Sequence, residues 1–299
     1  MNETTAATVS IAIPTLGRSD RLFETLKDVR ALQPAPLEIL VVDGDPSPQM
    51  EAAVTALGNR PPLHYLPAER GLTKQRNAAL ERAEGDVVVF FDDDVRVPPD
   101  VLAQLLPAYA DRAVVGATGF VDESPGSRKI SKYSVIKRLL PGGGRDGGFT
   151  RFGYPRRLID LSAEQDVSFM QGCFMSVRTE AGRRIRFDES LPGYGLAEDE
   201  DFSYRLSRVG RIRYLPNITV HHLNLGFGGR DQVDFNRQVV VNRAYLFRKN
   251  FEGTLLARIQ FAMFIGLLFA HRAINGEWKG LKGLLEGTLA VRRERRHAA

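Results

Sequence analysis

Four short apolar runs set between helical patterns constrain this chain most: TVSIAIPT, LEILVVDGD, LHYLP and DVVVFFDDD, at residues 8–15, 37–45, 63–67 and 86–94. Helical patterns separate them, one starting near Ser19, one over Met50 to Leu57 and one over Thr73 to Ala83. Runs that are apolar on both faces and alternate with helices require a mostly parallel sheet covered by helices on two sides. The expected fold class is therefore α/β, doubly wound. Ligands of such sheets bind beyond the carboxyl ends of the strands. Three of the runs end suggestively: in a loop after Pro14 and Thr15, in Asp43 and Asp45, and in Asp92, Asp93 and Asp94. Parallel strands would bring those ends to one edge of the sheet.

The 299 residues suffice for a large domain and an appendage. The charge of +5 is unevenly spread, because VRRERRHAA at the C-terminus holds four arginines against one glutamate. A basic end suits an acidic partner, nucleic acid or an anionic membrane surface, and is otherwise a solvated tail. A single cysteine, Cys173, rules out an internal disulfide and suits a reducing compartment. MNETTAATVSIAIPT lacks the basic start and apolar centre of a secretory signal, so a cytoplasmic location is expected.

Further along, PGGGRDGGFTRFGYP (141–155) is too rich in glycine for a regular element and reads as a mobile lid. VSFMQGCFMSVR (167–178) reads as a strand. In GYGLAEDEDFSYRLSRVG an acidic start opens a helix whose apolar stripe is Phe202, Leu206 and Val209, with Gly210 as its stop. RIRYLPNITVHH is a strand ending in His221 and His222. From about Asp231 the chain turns helical and more basic, which places a domain boundary near Gly229, with a catalytic domain over 1–229 and a helical extension over 230–299.

The acidic clusters carry the chemistry. In an extended segment residues two apart face the same way, so Asp92 and Asp94 can converge on one ligand. A hard divalent cation, Mg²⁺ or Mn²⁺, takes oxygen ligands and bridges substrate phosphates. Glu198, Asp199, Glu200 and Asp201 stand at a helix start, where acidic residues favour the dipole, but four exceed what capping needs. One of them suits a general base that takes a proton from an attacking hydroxyl. His221 and His222 add a candidate nitrogen ligand. The chain has no P-loop, no G-x-G-x-x-G after its first strand and no serine elbow, which argues against P-loop hydrolysis and hydride transfer.

The ordered set SIAIPTLGR, VVDGD, ERGLTKQRNAAL, VVFFDDD, QGCFMSVR, GYGLAEDEDFSYRLSRVG and YLPNITVHH resembles the inverting family 2 glycosyltransferases over roughly three quarters of the chain. The resemblance implies a GT-A fold, a nucleotide-diphosphate sugar donor and a divalent cation. It sets Pro14 and Thr15 against the nucleotide and Asp43 on the base. Arg76, and less closely Lys74, fall near the nucleotide. Asp92 falls on the ribose side, Asp94 on the metal, and Asp93 lies between them. Asp199 falls where the family keeps its catalytic base, and His222 aligns with a third metal contact, with His221 as a substitute. Phe174 departs from the family, which often carries Asn there, and this puts sugar or acceptor contacts at that position in question.

The acceptor implied is a glycan or lipid-linked hydroxyl, as in polysaccharide assembly, with no nucleic-acid partner. Two other readings compete: a sugar-phosphate nucleotidyltransferase, whose glycine-rich first loop PTLGRSDR matches poorly, and a non-catalytic nucleotide-sugar-binding scaffold. The uncharged stretch Ile259 to Ala270 falls short of the roughly 20 residues that span a bilayer. Flanked by Arg258, His271 and Arg272 and followed by KGLKG and RRERR, it suits either an anionic membrane interface or a helix packed on the domain or in a homodimer.

Overall fold

The apolar runs do form strands, and their period-two alternation sorts side chains to two faces. A computed structural model describes residues 7–123, 146–156, 162–191, 195–223 and 231–297. The chain divides into two units, Met1–Arg128 with Leu158–Asn224, and Lys129–Arg157 with Leu225–Ala299.

In the first unit the described elements run β1 (Val9–Thr15), α1 (Ser19–Arg30), β2 (Glu38–Asp43), α2 (Pro48–Thr55), β3 (Leu63–Pro67), α3 (Leu72–Arg82), β4 (Val87–Phe91), β5 (Val95–Arg96), α4 (Val101–Leu105), β6 (Val114–Asp122), β7 (Gln165–Val167), β8 (Phe174–Arg178), α5 (Thr179–Ile185), α6 (Glu198–Leu206) and β9 (Arg211–His222). One sheet has the order β3-β2-β1-β4-β8-β6-β9-β5, with β7 paired to β9. Ile11, Ile13, Ile39, Val41, Val89 and Phe91 meet α1, α2 and α4 on one side. Ala12, Leu40, Val42, Val88 and Phe90 meet α3, α5 and α6 on the other. Two-sided burial is why these runs are apolar throughout.

The strands β3, β2, β1 and β4 are parallel, with Thr15 level with Asp43. The rest of the sheet is mixed. β8 begins at the edge where β4 ends, with Phe91 opposite Phe174, so it must run back antiparallel. The stretch 167–178, expected as one strand, is broken by a turn in which Phe174 N donates to Gln171 O at 3.0 Å. The helix carrying the acidic cluster ends at Leu206, so Val209 lies past it and is exposed rather than part of an apolar stripe. The two residues of β5 pair with the end of β9, Val95 opposite His222 and Arg96 opposite His221. That pairing returns a histidine to the aspartate triplet.

The second unit holds α7 (Gln232–Asn250), α8 (Leu255–Ile274) and α9 (Trp278–His297). Asp231 and Thr254 cap α7 and α8, their side chains accepting from Val233 N and Ala257 N. The glycine-rich stretch expected as a lid belongs here. Its residues 141–145 lie outside the described residues, and 146–156 form a hairpin in which Thr150 N donates to Tyr154 O at 2.9 Å and Arg156 N to Gly148 O at 2.8 Å. Phe152 is buried with Phe247, Ala257 and Phe264. Aromatic packing holds the described residues 146–156 of this stretch against the C-terminal helices, and the division of the chain assigns 129–157 to the same unit as those helices.

Gly85 leads into β4 and donates its N–H to Ser10 Oγ at 2.8 Å. A Cβ there would lie 2.5 Å from Ser10 N and 2.8 Å from Val9 C, main-chain atoms that cannot rotate away. Gly85→Ala should therefore lower stability by about 2 kcal/mol or more. Urea unfolding followed by circular dichroism measures it, and an unchanged midpoint would show that β1 and β4 can separate at no cost.

Candidate active site

Three strand ends form the floor of the site. Gln75 Nε2 donates to Thr15 O at 2.6 Å and to Val42 O at 2.8 Å, clamping the ends of β1 and β2. Asp43 is fully buried, its Oδ1 accepting from Gly17 N and Asp45 N and its Oδ2 from Tyr65 Oη at 2.8 Å. Burial and the Asp43 carboxylate push the Tyr65 phenol up to about 12. Asp93 is also fully buried. It accepts from Thr15 Oγ1 at 2.6 Å and pairs with Arg18 Nη2 at 2.6 Å, while desolvation, opposed by that arginine, raises it to about 6. Asp93 thus anchors the loop after β1 and offers no surface to a ligand.

On either side of it, Asp92 and Asp94 come together with His222. One ligand atom from each lies within 4.8 Å of the others. His222 Nε2 is 3.1 Å from Asp94 Oδ1, and Arg21 Nη1 is 3.6 Å from Asp94 Oδ2. Burial works to raise Asp94, but the hydrogen bond and charge of His222 with the charges of Arg18 and Arg21 hold it below the usual carboxylate range. The same hydrogen bond to Asp94 raises the imidazole of His222. His221 points elsewhere, with Nδ1 3.3 Å from Asp122 Oδ2. Alternation along β9 thus distinguishes the two histidines. Two carboxylates and an imidazole form a donor set that fits Mg²⁺ or Mn²⁺.

The second acidic cluster reaches this group through Arg76. Its guanidinium is 1% exposed and donates to Glu198 Oε1 at 2.6 Å, Gly172 O at 2.8 Å and Asp92 Oδ1 at 3.2 Å. The Phe187 and Phe90 rings lie 5.3 and 5.9 Å from its central carbon. Gly172 N in turn donates to Asp199 Oδ2 at 3.0 Å, and Glu200 N to Asp199 Oδ1 at 2.9 Å. A Cβ at Gly172 would come within 3.2 Å of both Arg76 Nη2 and Glu198 Oε1. Ala197, which caps α6, sits at φ 72°, a left-handed conformation costing about 1–3 kcal/mol for a non-glycine residue. Backbone strain therefore sits directly before the acidic run. Of the four acids only Asp199 is not buried, and Asp201 is taken up by Arg205 at 2.6 Å.

The sequence model of glycosyl transferase family 2 matches residues 10–186. The chain belongs to this family. Succinoglycan biosynthesis protein ExoM of Rhizobium meliloti is 32% identical over 213 residues, 68% of this chain and 63% of that protein. Dolichol-phosphate mannosyltransferase of Pyrococcus furiosus is 32% identical over 138 residues, 43% of this chain and 39% of that protein. The chain thus spans less than two thirds of either relative. In fold it is similar to a mannosyltransferase of Pyrobaculum calidifontis solved with GDP-Man and Mn²⁺, with a TM-score of 0.59 and 16% identity over 96% of this chain and 87% of that one. The architecture is the GT-A glycosyltransferase fold.

Several family 2 positions land differently from the sequence expectation. Arg76, expected beside the nucleotide, is enclosed and spent on the protein's own acceptors. Lys74 pairs with Glu69 and stays partly exposed. Pro14 and Thr15 lie inside β1, with Thr15 Oγ1 turned to Asp93. Phe174 is fully buried and stacks on Phe91 at 5.4 Å, so its departure from the family's Asn alters the core behind the site. Sequence reasoning did not single out Glu198 or Gly172 as functional. Glu198 meets Arg76 across 122 positions, a contact that no local pattern encodes.

Glu198 is buried, and desolvation with the neighbouring Asp199 charge, against the pull of Arg76, raises its carboxyl to about 8. A raised folded-state value means that its stabilisation is complete below the ordinary value of 4.5 and is lost as pH rises through about 8. Glu198→Gln should remove that dependence. Its urea midpoint should fall less than the wild-type midpoint between about pH 5 and pH 9, and parallel curves would refute the assignment.

Proposed function

We propose that this chain transfers a sugar from a nucleoside-diphosphate donor to a hydroxyl of a glycan or lipid-linked acceptor, with inversion at the anomeric carbon and dependence on a divalent cation. One observation carries the reading: the Asp92, Asp94 and His222 donor set and the half-buried Asp199 are joined through Arg76 and Gly172. A leaving-group site and a base site thus share one rigid support.

Asp199 accepts the proton of the acceptor hydroxyl as the oxygen attacks the anomeric carbon opposite the diphosphate. The bond between that carbon and the phosphate oxygen breaks, and its electron pair leaves with the nucleoside diphosphate. A single displacement inverts the centre. The N–H groups of Gly172 and Glu200 fix the orientation of the carboxylate. Asp92, Asp94 and His222 would hold Mg²⁺ or Mn²⁺, which when bound supplies positive charge toward the departing diphosphate. The Pyrobaculum structure with GDP-Man and Mn²⁺ supports this donor class and cation. The names of the Rhizobium and Pyrococcus relatives support a growing polysaccharide or a lipid phosphate as acceptor.

Nucleoside diphosphate released from a panel of nucleotide sugars with Mn²⁺ tests the proposal. Asp199→Asn should lower kcat about 1,000-fold, within the range for loss of a general base, and leave nucleotide affinity within about twofold. Release unaffected by that substitution would sink the base assignment, and wild-type binding without turnover would favour the scaffold reading.

A further inference from the structure

The extension leaves an apolar surface uncovered. α8 runs for 20 residues, about 30 Å, and is long and apolar enough to cross a membrane, which the shorter uncharged stretch read from sequence was not. Only 17% of its most apolar window is buried. Leu255, Ile259, Met263, Leu267 and Ile274 recur at helical spacing along the exposed side. The outer side of α9 continues with Trp278, Lys282, Leu285, Leu289 and Arg292, at intervals of four, three, four and three. Apolar and basic side chains therefore alternate on one stripe.

We infer that α8 and the outer face of α9 form a docking surface for an anionic lipid bilayer, with α8 lying in the plane of the interface. Charge complementarity selects this occupant. Residues 248–297 hold ten Lys and Arg against four Glu, and that +6 exceeds the +5 of the whole chain. Interleaved cations favour acidic headgroups beside an acyl layer, and long basic side chains can bury their stems while keeping the charge at headgroup level. Trp278 is 76% exposed at the junction of the two helices, and an exposed indole ring suits the headgroup level of a membrane interface.

Packing within this unit argues against a spanning orientation. The inner side of α8 is committed through Ala257 and Phe264 to Phe152 and Phe247. Near its C-terminus Arg272 donates to Asn236 Oδ1 on α7 at 3.1 Å and pairs with Glu277. A spanning α8 would carry those polar partners into hydrocarbon, where unsatisfied polar groups are costly. An in-plane helix leaves the inner face packed and buries only the stripe.

The test uses the full chain and its only tryptophan, Trp278. With vesicles of phosphatidylcholine and phosphatidylglycerol the protein should co-float and its indole emission should shift to the blue. With phosphatidylcholine alone, or in high salt, both signals should weaken. Ile259→Glu, Met263→Glu and Leu267→Glu combined should abolish them. Lys282→Glu with Arg292→Glu, both at exposed positions that leave the core intact, should lower partitioning about tenfold or more. Absence of flotation and of the shift would overturn the inference. So would a lipid-independent blue shift with a dimer mass by light scattering that the same substitutions remove, which would make the stripe a protein interface. Neither result bears on sugar transfer, since nucleoside diphosphate release is read without vesicles.

Discussion

The buried guanidinium of Arg76 is the contact on which the rest of the site depends. Enclosing an unpaired cation costs several kcal/mol or more, so its surroundings must answer it fully. Glu198, Asp92 and the Gly172 carbonyl supply the acceptors, and Phe187 and Phe90 supply π faces. These partners come from α6, from the end of β4 and from the turn before β8. One side chain of α3 thus sets the spacing between the elements that carry Asp92 and Asp199. Removing it would leave buried carboxylates opposed without a cation, a heavier loss than one hydrogen bond.

The same accounting explains how three adjacent aspartates coexist. Repulsion within the triplet is relieved because each carboxylate has its own cationic partner: Arg76 for Asp92, Arg18 for Asp93, and His222 with Arg21 for Asp94. The turn between β4 and β5 creates this division, since it places Asp93 on Thr15 and Arg18 and brings Asp92 and Asp94 together with His222. Asp93 organises the loop after β1, and the flanking pair gathers with His222 just past the end of β4. A divalent ion at Asp92, Asp94 and His222 would take over charge compensation that His222 and Arg21 already supply in part. The site is therefore shaped in advance by the protein's own polar and cationic groups, and ion binding there would use the neutral imidazole of His222.

Period and order made much of this legible in the sequence. The four parallel strands and the shared edge of Thr15, Asp43 and Asp92 follow from local patterns, whereas local pattern leaves the four acids at 198–201 undivided and only the family resemblance picks out Asp199. Sites set by long-range pairing were less legible. Alternation along β9 tells His222 from His221, and the strand that brings it to the aspartates, β5, has two residues and is too short to announce itself. Nothing local tells Asp93 from its neighbours, because Arg18 folds back over it from the loop after β1. Arg76 looked like a nucleotide contact because its basic charge was visible and its enclosure was not. The stretch 141–155 reads as a lid because glycine content signals backbone freedom, whereas the aromatic packing of Phe152 and Tyr154 in its described part depends on helices a hundred residues away.

The two units meet the hydrophobic requirement in opposite ways. In the first, runs apolar on both faces are enclosed by helices, and the buried Arg76 and Asp93 at the site are paired with opposite charges. In the second, α8 has one face packed and one uncovered, although its length and composition resemble those of a core helix. Periodicity in sequence cannot separate these cases, because a helix buried in protein and one buried in lipid satisfy the same pattern. What separates them is the company on the exposed stripe. The next helix, α9, presents Trp278, Lys282 and Arg292 in line with leucines, which a core helix has no reason to do, whereas a surface that meets both acyl chains and acidic headgroups needs both kinds of side chain.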